Sequence, residues 1–532
     1  MLINTPPCIS TIVRIGALLV FLLTCGSYFL PHTYEVLPVF DIQILRAANL
    51  TSTSSTFNAS VVEFWQDLAS ALLAATPQCK PLKVLKEHLH PEDTHFDPLE
   101  TDRKAPDRLV DFTDQDETAL FRAHYAMRTS AQHLAPRLPF AAGTTGIVTT
   151  ANRKYMPVLL VSLRMLRRTG CNLPVQVFID DWDTYDAPTC DILLPSLNAR
   201  CVIISEIYSQ GNNAELKLPE HYQYKILAIL FSSFEHVLFL DSDAFPAYDP
   251  SVLFTTAPYT THGLVTWPDY FALTVSPHYY HIASIPPEPV STRFSTESGQ
   301  ILLRKSLHRE SLLMMLYYNY FGPEYYYPLL CQGSHGAGDK ETFVQAALAV
   351  GLPYYQVRTA PVALGRWWNG TYRGVGIAQA DPGTDMEYLA PYPNAAHKTP
   401  HWENQDALVD NNLNRTRPRP FFLHQNTLKL FPHSLLLNPS DVTFKPDGTP
   451  QRMWGVKDDL EKLMGYDVEH RLWDVITEEA CRWEEKGGDD EDDEDQEEAR
   501  KERETCKRIR EYVAQVFGVE GEHGPALATN IS

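Results

Sequence analysis

Between Gly146 and Asp243 the chain repeats one pattern: a short apolar run, a polar or acidic stop, and a stretch whose apolar positions recur at helical spacing. The runs are Ile147-Val148-Thr149, Val175 to Ile179, Cys201 to Ile204 and Val237 to Leu240. Leu159, Leu163 and Leu166 share one face of a helix after the first run, and Tyr222 to Phe231 supplies another helix before the last. Runs that are apolar throughout, rather than at alternate positions, are strands covered on both faces. Strand, helix and strand in repetition predict an α/β fold with a mostly parallel central sheet. Downstream, Gln300 to Leu303 reads as a further strand, and Leu307 to Tyr320 as a helix whose Met and Tyr residues are packing groups.

The last of the four runs stops at two aspartates one residue apart, Asp241 and Asp243. In an open parallel sheet the ligand crevice lies beyond the carboxyl ends of the strands. Two carboxylates there suit a hard divalent cation and, through it, a phosphate-bearing substrate. An Asp-x-Asp alone is as well read as a solvated turn; the buried strand before it favours the metal.

Further polar groups fall beside predicted elements. Lys225, on the helix before that strand, is either a cation for a nucleotide phosphate or an exposed helix lysine. In Glu297-Ser298-Gly299-Gln300, Gly299 permits close backbone approach and its neighbours offer grips for sugar hydroxyls, unless the segment is a simple turn. Asp339, Lys340 and Glu341 precede the apolar run Val344 to Val350, where Asp339 is also a candidate N-cap. Phe422-Leu423 delivers His424, whose imidazole suits manganese better than calcium and makes it a candidate third ligand.

The chain ends carry a compartment signal. Ile15 to Leu30 is uncharged and mostly apolar, with Arg14 before it and Pro31 after. At roughly 1.5 Å per residue it is short for a spanning helix, though thin early-secretory membranes accept short spans. It is read as a retained signal anchor with a cytosolic amino terminus, in preference to a cleaved signal peptide. Five Asn-x-Ser/Thr sequons, at Asn49, Asn58, Asn369, Asn414 and Asn530, agree with a lumenal chain. The seven cysteines beyond the anchor lack zinc-motif spacing; Cys190 with Cys201, and Cys481 with Cys506, are the expected disulfides.

Nine of the ten residues from Asp489 to Glu498 are acidic, and removing them from the net charge of -21 leaves about -12 on the rest. The acidity is therefore partly local, expected as a solvated loop, and nothing is basic enough to bind nucleic acid. The expected organisation is a cytoplasmic tail at 1–14, a transmembrane signal anchor at 15–31, a Thr/Ser/Pro-rich stem at 32–140 broken by short helical patterns such as Val61 to Ala75, a catalytic domain at 141–480 and an acidic, partly disordered region at 481–532.

Taken together, Val-Leu-Phe-Leu-Asp-Ser-Asp ending at Asp243, Glu-Ser-Gly-Gln at 297–300, Gly-Asp-Lys-Glu-Thr-Phe at 338–343, Arg168-Thr169-Gly170-Cys171 with Leu173-Pro174-Val175, and the segment around Lys225 resemble the fungal Mnn-type Golgi α-mannosyltransferases, glycosyltransferase family 71, especially members that begin α-1,2 branches on mannan. The resemblance runs from about Gly146 to Pro432. It implies the GT-A nucleotide-sugar transferase fold, GDP-mannose as donor, Mn2+ or another divalent cation, and retention of the donor's α-configuration. It implies a mannose-containing glycan acceptor, a type II Golgi membrane protein with a lumenal catalytic domain, and association into Golgi mannosyltransferase complexes.

Carried over by position, Asp241, Asp243 and His424 hold the metal, Asp339 and Glu341 are catalytic carboxylates, and Thr149, Lys225, Glu297, Ser298, Gly299, Gln300 and Lys340 line the donor site. One departure is Ala244-Phe245-Pro246, where a polar residue is expected directly after the second aspartate. The alternatives are an α-1,3-mannosyltransferase or another nucleotide-sugar transferase of the same fold, a non-catalytic mannan-binding protein, and a phosphohydrolase, which Phe245 disfavours.

Overall fold

The computed structural model describes residues 40–85, 96–211, 216–388, 409–410, 415–432, 435–436, 442–482 and 493–518; at 40–56, 409–410, 415–416 and 493–502 it describes backbone alone. Two units, Met1–Thr56 and Phe57–Ser532, separate by contact. The expected anchor at 15–31 lies outside the described residues, among which no helix is long and apolar enough to cross a membrane. The helix Phe40–Ala74 (α1) leads into the second unit.

Seven strands form the central sheet: Ala141–Thr150 (β1), Val175–Ile179 (β2), Ala199–Ile203 (β3), Phe234–Leu240 (β4), Leu264–Ala272 (β6), Phe294–Arg304 (β7) and Tyr355–Gln356 (β8). Their order is β8-β6-β7-β4-β1-β2-β3. Only β7 runs against its neighbours, pairing antiparallel with β4 and β6, while the other four pairings are parallel. The chain proceeds outward from β1 through β2 and β3, then returns to place β4 on the other side of β1. That reversal makes the carboxyl ends of β1 and β4 the topological switch point of the sheet, where ligands of such folds bind.

The strand faces explain the unbroken apolar runs. Val237 and Phe239 of β4 enter one hydrophobic core, while Leu238 and Leu240 enter a second core on the opposite face. The second core is capped by Met156–Arg168 (α3), with Leu159, Leu163 and Leu166 buried as the periodicity predicts. Gln223–Phe231 (α4) and Arg309–Tyr320 (α5) cover the first.

From Phe57 on, described parts of the segment expected as a stem pack into this fold. Val61, Phe64, Trp65, Leu68 and Leu72 of α1 pack into the first core, as do Leu120 and Met127 of Asp114–Leu134 (α2). Trp65 Nε1 donates to the Tyr208 carbonyl at 2.9 Å. Apolar residues three and four apart form a core-facing stripe despite the Ser, Thr and Pro around them.

A second, four-stranded antiparallel sheet is made of Ala244–Pro246 (β5), Val362–Trp368 (β9), Thr371–Ala380 (β10) and Pro420–His424 (β11), in the order β9-β10-β11-β5. Its third core is completed by Val468–Cys481 (α7) and Asp493–Phe517 (α8). Helix α8 starts inside the acidic run, so the part from Asp493 is helical where a loop was expected; Asp489 to Asp492 lie outside the described residues. The reason is its later stripe, in which Ile509 and Tyr512 are buried one turn apart in the third core and Cys506 is buried one turn before them. Both expected disulfides, Cys190–Cys201 and Cys481–Cys506, are formed, and Cys79, Cys171 and Cys331 are free.

Glu469 of α7 is fully buried and accepts from the backbone amides of Met453 at 2.5 Å and Trp454 at 3.1 Å, with Arg452 at 3.4 Å. Burial, only partly offset by Arg452 and the two amides, pushes its carboxyl up to about 7 from 4.5. Below the lower value folded and unfolded states are both protonated. Between the two values only the unfolded state ionises, so stability falls as pH rises and levels off above about 7. The stability of the wild type relative to Glu469→Gln is therefore expected to drop by about 3 kcal/mol between about pH 4 and about pH 8. Urea unfolding of both proteins across that range measures the drop; parallel pH profiles would refute it.

Candidate active site

Asp241 follows directly on β4 and its amide donates to the Gly299 carbonyl of β7 at 2.8 Å. After the turn closed by the Ala244 amide on the Asp241 carbonyl at 3.0 Å, the chain enters β5. Ala244-Phe245-Pro246, where a polar residue was expected, is a strand, with Phe245 buried in the third core. Strand β11 pairs with β5 so that His424 lies opposite Ala244, and the Gln425 amide donates to the Asp243 carbonyl at 3.0 Å. This register carries a histidine from far along the chain to the Asp-x-Asp turn. Asp241, Asp243 and His424 present ligand atoms within 4.8 Å of one another.

The imidazole is held from both sides. His424 Nδ1 lies 2.9 Å from Glu297 Oε1 and Nε2 lies 3.1 Å from Asp243 Oδ1. Glu297 is itself fixed by the Gly299 amide at 2.8 Å and by Gln300 Nε2 at 2.6 Å. A carboxylate on the far nitrogen that orients a ligating imidazole is the usual outer layer of a metal site. A Cβ on Gly299 would stand 2.3 Å from His424 Nδ1, so the close approach anticipated at this glycine is made by the imidazole. Two carboxylates and an oriented imidazole fit a divalent cation of the manganese type.

Lys225 is buried beneath this group, its ammonium over the Phe239 ring. Nζ lies 2.7 Å from the Ser298 carbonyl, 3.0 Å from Ser298 Oγ, 3.2 Å from Asp339 Oδ2 and 3.4 Å from Asp241 Oδ2. It is therefore not an exposed helix lysine. Ser298 Oγ donates to Asp339 Oδ1 at 3.1 Å, so the Asp339 carboxylate is committed to the site and does not cap the helix Thr342–Ala349 (α6).

Charge is strongly polarised here. Burial works against the ammonium of Lys225, but Asp241, Asp339 and Glu297 outweigh it and hold the group above its ordinary value. Burial opposes ionisation of Asp243 too, yet His424 and Lys429 keep it well below the carboxylate range. His424 is raised by Asp243 and Glu297 against its burial, whereas burial and the neighbouring carboxylates raise Asp241 despite Lys225 and His424.

Lys429, whose ammonium contacts Asp243 Oδ2, was not anticipated. Its signal is slight: it is the one charged residue in Gln425 to Leu430, on a loop held by the Thr427 and Leu428 amides donating to the Val375 carbonyl.

Two expected residues are engaged elsewhere. Glu341 accepts from the Thr296 amide at 2.7 Å and from Arg293 at 2.9 Å, and Arg293 also binds Glu288. With both oxygens taken and its side chain buried, Glu341 braces the start of β7 in place of the catalytic role expected of it. Lys340 reaches Asp269 at 3.0 Å and the His335 carbonyl at 2.8 Å, and so is committed away from the two aspartates. Gln300 serves Glu297. Thr149, near the end of β1, is buried and its hydroxyl finds no protein partner.

A protein-family model described as "Mannosyltransferase putative" matches residues 144–293 and 288–381, a span that includes Asp241, Asp243, Glu297 and Asp339. Alpha-1,2-mannosyltransferase MNN21 of Candida albicans is 32% identical over 474 residues, covering 79% of this chain and 70% of that protein. Alpha-1,2-mannosyltransferase MNN2 of Saccharomyces cerevisiae is 29% identical over 486 residues, covering 80% of each. Among solved structures, core-mannan synthase A of Aspergillus fumigatus in its Mn/GDP form aligns at a TM-score of 0.28 with 10% identity, over 42% of this chain and 76% of that one, a likeness too slight to carry an argument. By its sequence relatives the chain is a glycosyltransferase and belongs to the Mnn-type α-1,2-mannosyltransferase family.

Proposed function

We propose that this enzyme transfers mannose from GDP-mannose, with retention, to an α-mannoside acceptor in a GT-A-type site, and forms an α-1,2 linkage. The observation that carries the reading is the convergence of Asp241, Asp243 and His424 just beyond the carboxyl end of β4, at the switch point of the sheet. These three residues would hold a divalent cation, manganese by the imidazole in the set. When bound, such a cation supplies Lewis-acid neutralisation of the departing diphosphate.

The chain's own groups do the rest. Glu297 keeps the His424 ring oriented. Lys225 holds Asp241 and Asp339 together despite their like charge, which keeps the metal-binding and sugar-facing carboxylates at a set separation. Asp339, held by Ser298 and Lys225, would be the carboxylate that faces the donor sugar. Lys429, on a less buried loop than its partner Asp243, can move from that carboxylate to an incoming diphosphate oxygen. Thr149 offers its unpaired hydroxyl to the donor at the end of β1. The acceptor is a mannose-containing glycan of mannan or of a glycoprotein. The compartment is the Golgi lumen, with residues 15–31 as the anchor of a type II protein.

The test is transfer from GDP-mannose to an α-mannoside with manganese present, with the linkage and anomeric configuration read by NMR. Chelation is expected to abolish transfer and added Mn2+ to restore it. A purified protein that neither transfers nor hydrolyses GDP-mannose over a range of acceptors and metals, while turning over another nucleotide sugar, would overturn the donor assignment.

A further inference from the structure

The hairpin joining β9 to β10 turns through two residues, Asn369 and Gly370, whose backbone φ angles are +46° and +77°. Positive φ at both central positions is type I′ geometry, for which Asn-Gly is a favoured pair. Trp368 and Thr371 flank the turn as directly opposed residues, so their side chains share one face of the ribbon. Asn369, Gly370 and Thr371 are exposed and Trp368 is half-buried. Asn369-Gly370-Thr371 is also a glycosylation sequon. Asn58, the other sequon asparagine whose side chain is described, lies instead within helix α1.

We propose that Asn369 carries an N-linked glycan and that the indole of Trp368, with the methyl group of Thr371, forms the platform on which its first sugar stacks. The proposal rests on the lumenal reading above and is independent of the transfer chemistry. A pyranose ring presents a face of C–H groups. An indole beside the attachment point offers an apolar surface of matching size, so stacking removes apolar area of both from water. One residue further from the tip, Trp367 and Tyr372 are paired across the strands with ring centroids 5.5 Å apart, which stiffens the ribbon below the turn. Along β10, Thr371 at the tip is separated by six residues from Ile377, the partner of His424. At about 3.4 Å per residue this puts the glycan about 20 Å from the candidate metal group, clear of the donor.

The attachment balances without a redox partner. A host oligosaccharyl transferase moves an oligosaccharide from a polyisoprenyl-diphosphate carrier. The bond from sugar C1 to the diphosphate oxygen breaks, a bond from C1 to Asn369 Nδ2 forms, one amide proton is lost, and the carrier leaves as its diphosphate.

The experiment is peptide mapping of the full chain made in a eukaryotic secretory pathway, with the disulfides mapped in the same sample. Expected are an occupied Asn369 and intact Cys190–Cys201 and Cys481–Cys506 bridges. A vacant Asn369 in a chain with both bridges formed overturns the proposal and leaves the lumenal reading standing. A vacant Asn369 with all four of those cysteines as thiols overturns both. For the platform, native enzymatic removal of the glycan is expected to lower the melting temperature of the wild type but not that of Trp368→Ala, whose Asn369 stays occupied. An equal fall in the two proteins would overturn the stacking.

Discussion

Replacing Asp243 with alanine is expected to lower mannosyl transfer by about a hundredfold or more, the scale seen when a group that stabilises developing charge is removed. The same substitution should also cost stability, because Asp243 is buried against His424 and Lys429 and answers both cations. Breaking a buried pair by removing one partner costs about 3 to 5 kcal/mol. Here the lower end applies, since the imidazole keeps its bond to Glu297 and Lys429 can swing to solvent. Asp243→Asn separates the two effects. It keeps the volume and one acceptor oxygen, so the fold should hold closer to the wild type, while the loss of charge removes the metal ligand. Transfer rate, Mn2+ binding by calorimetry and thermal melting on the two variants form the measurement. An Asp243→Asn protein that binds Mn2+ and turns over like the wild type would sink the metal assignment.

The parts of this site that could be read from the chain are those governed by local period. Val237 to Leu240 announces a doubly buried strand because every position is apolar, and Leu159, Leu163 and Leu166 announce a helix because they recur at 3.6. The carboxylates at the end of such a strand then follow from topology. What could not be read depends on pairing between distant segments. Nothing local says that β11 lies beside β5, yet that register alone brings His424 to Asp243. The antiparallel insertion of β7 is likewise tertiary, and it decides that Gly299 receives an imidazole. In Gly338 to Phe343 three successive charged residues looked equivalent. The start of α6 sends Asp339 to Lys225, Lys340 to Asp269 and Glu341 to Arg293, three different destinations that composition does not distinguish. Lys429 escaped notice for the same reason, being one cation on an unpatterned loop. In the expected stem the helical pattern from Val61 to Ala75 was legible, but not its destination: the stripe from Val61 to Leu72 packs into the first core, a contact between distant segments.

Lys225→Met should produce the largest loss of stability of any single change in the site, about 3 to 5 kcal/mol. Methionine keeps most of the aliphatic stem but removes the charge that lies over the Phe239 ring and that Asp241, Asp339 and Glu297 all face. The ammonium donates to the Ser298 carbonyl, the Ser298 hydroxyl and Asp241 and faces Asp339 as an ion pair, so the loss also leaves the buried Ser298 carbonyl without that donor. Lys225→Arg should recover little, because a planar guanidinium cannot meet acceptors arranged around a compact tetrahedral head. In Lys225→Met the ammonium no longer opposes the burial that already raises Asp241, so the folded-state carboxyl of Asp241 moves further above its unfolded value. Protonation then relieves the fold, so the deficit relative to the wild type should grow as pH rises from about 4 to about 7. Adding Asp339→Asn removes one of the two charges, and the double variant is expected to be more stable than the sum of the single changes. Urea midpoints of the four proteins at both ends of that range measure the coupling. Strict additivity would show that Lys225 and Asp339 do not act as a pair, and an unchanged midpoint for Lys225→Met would show that the buried ammonium does not hold the site together.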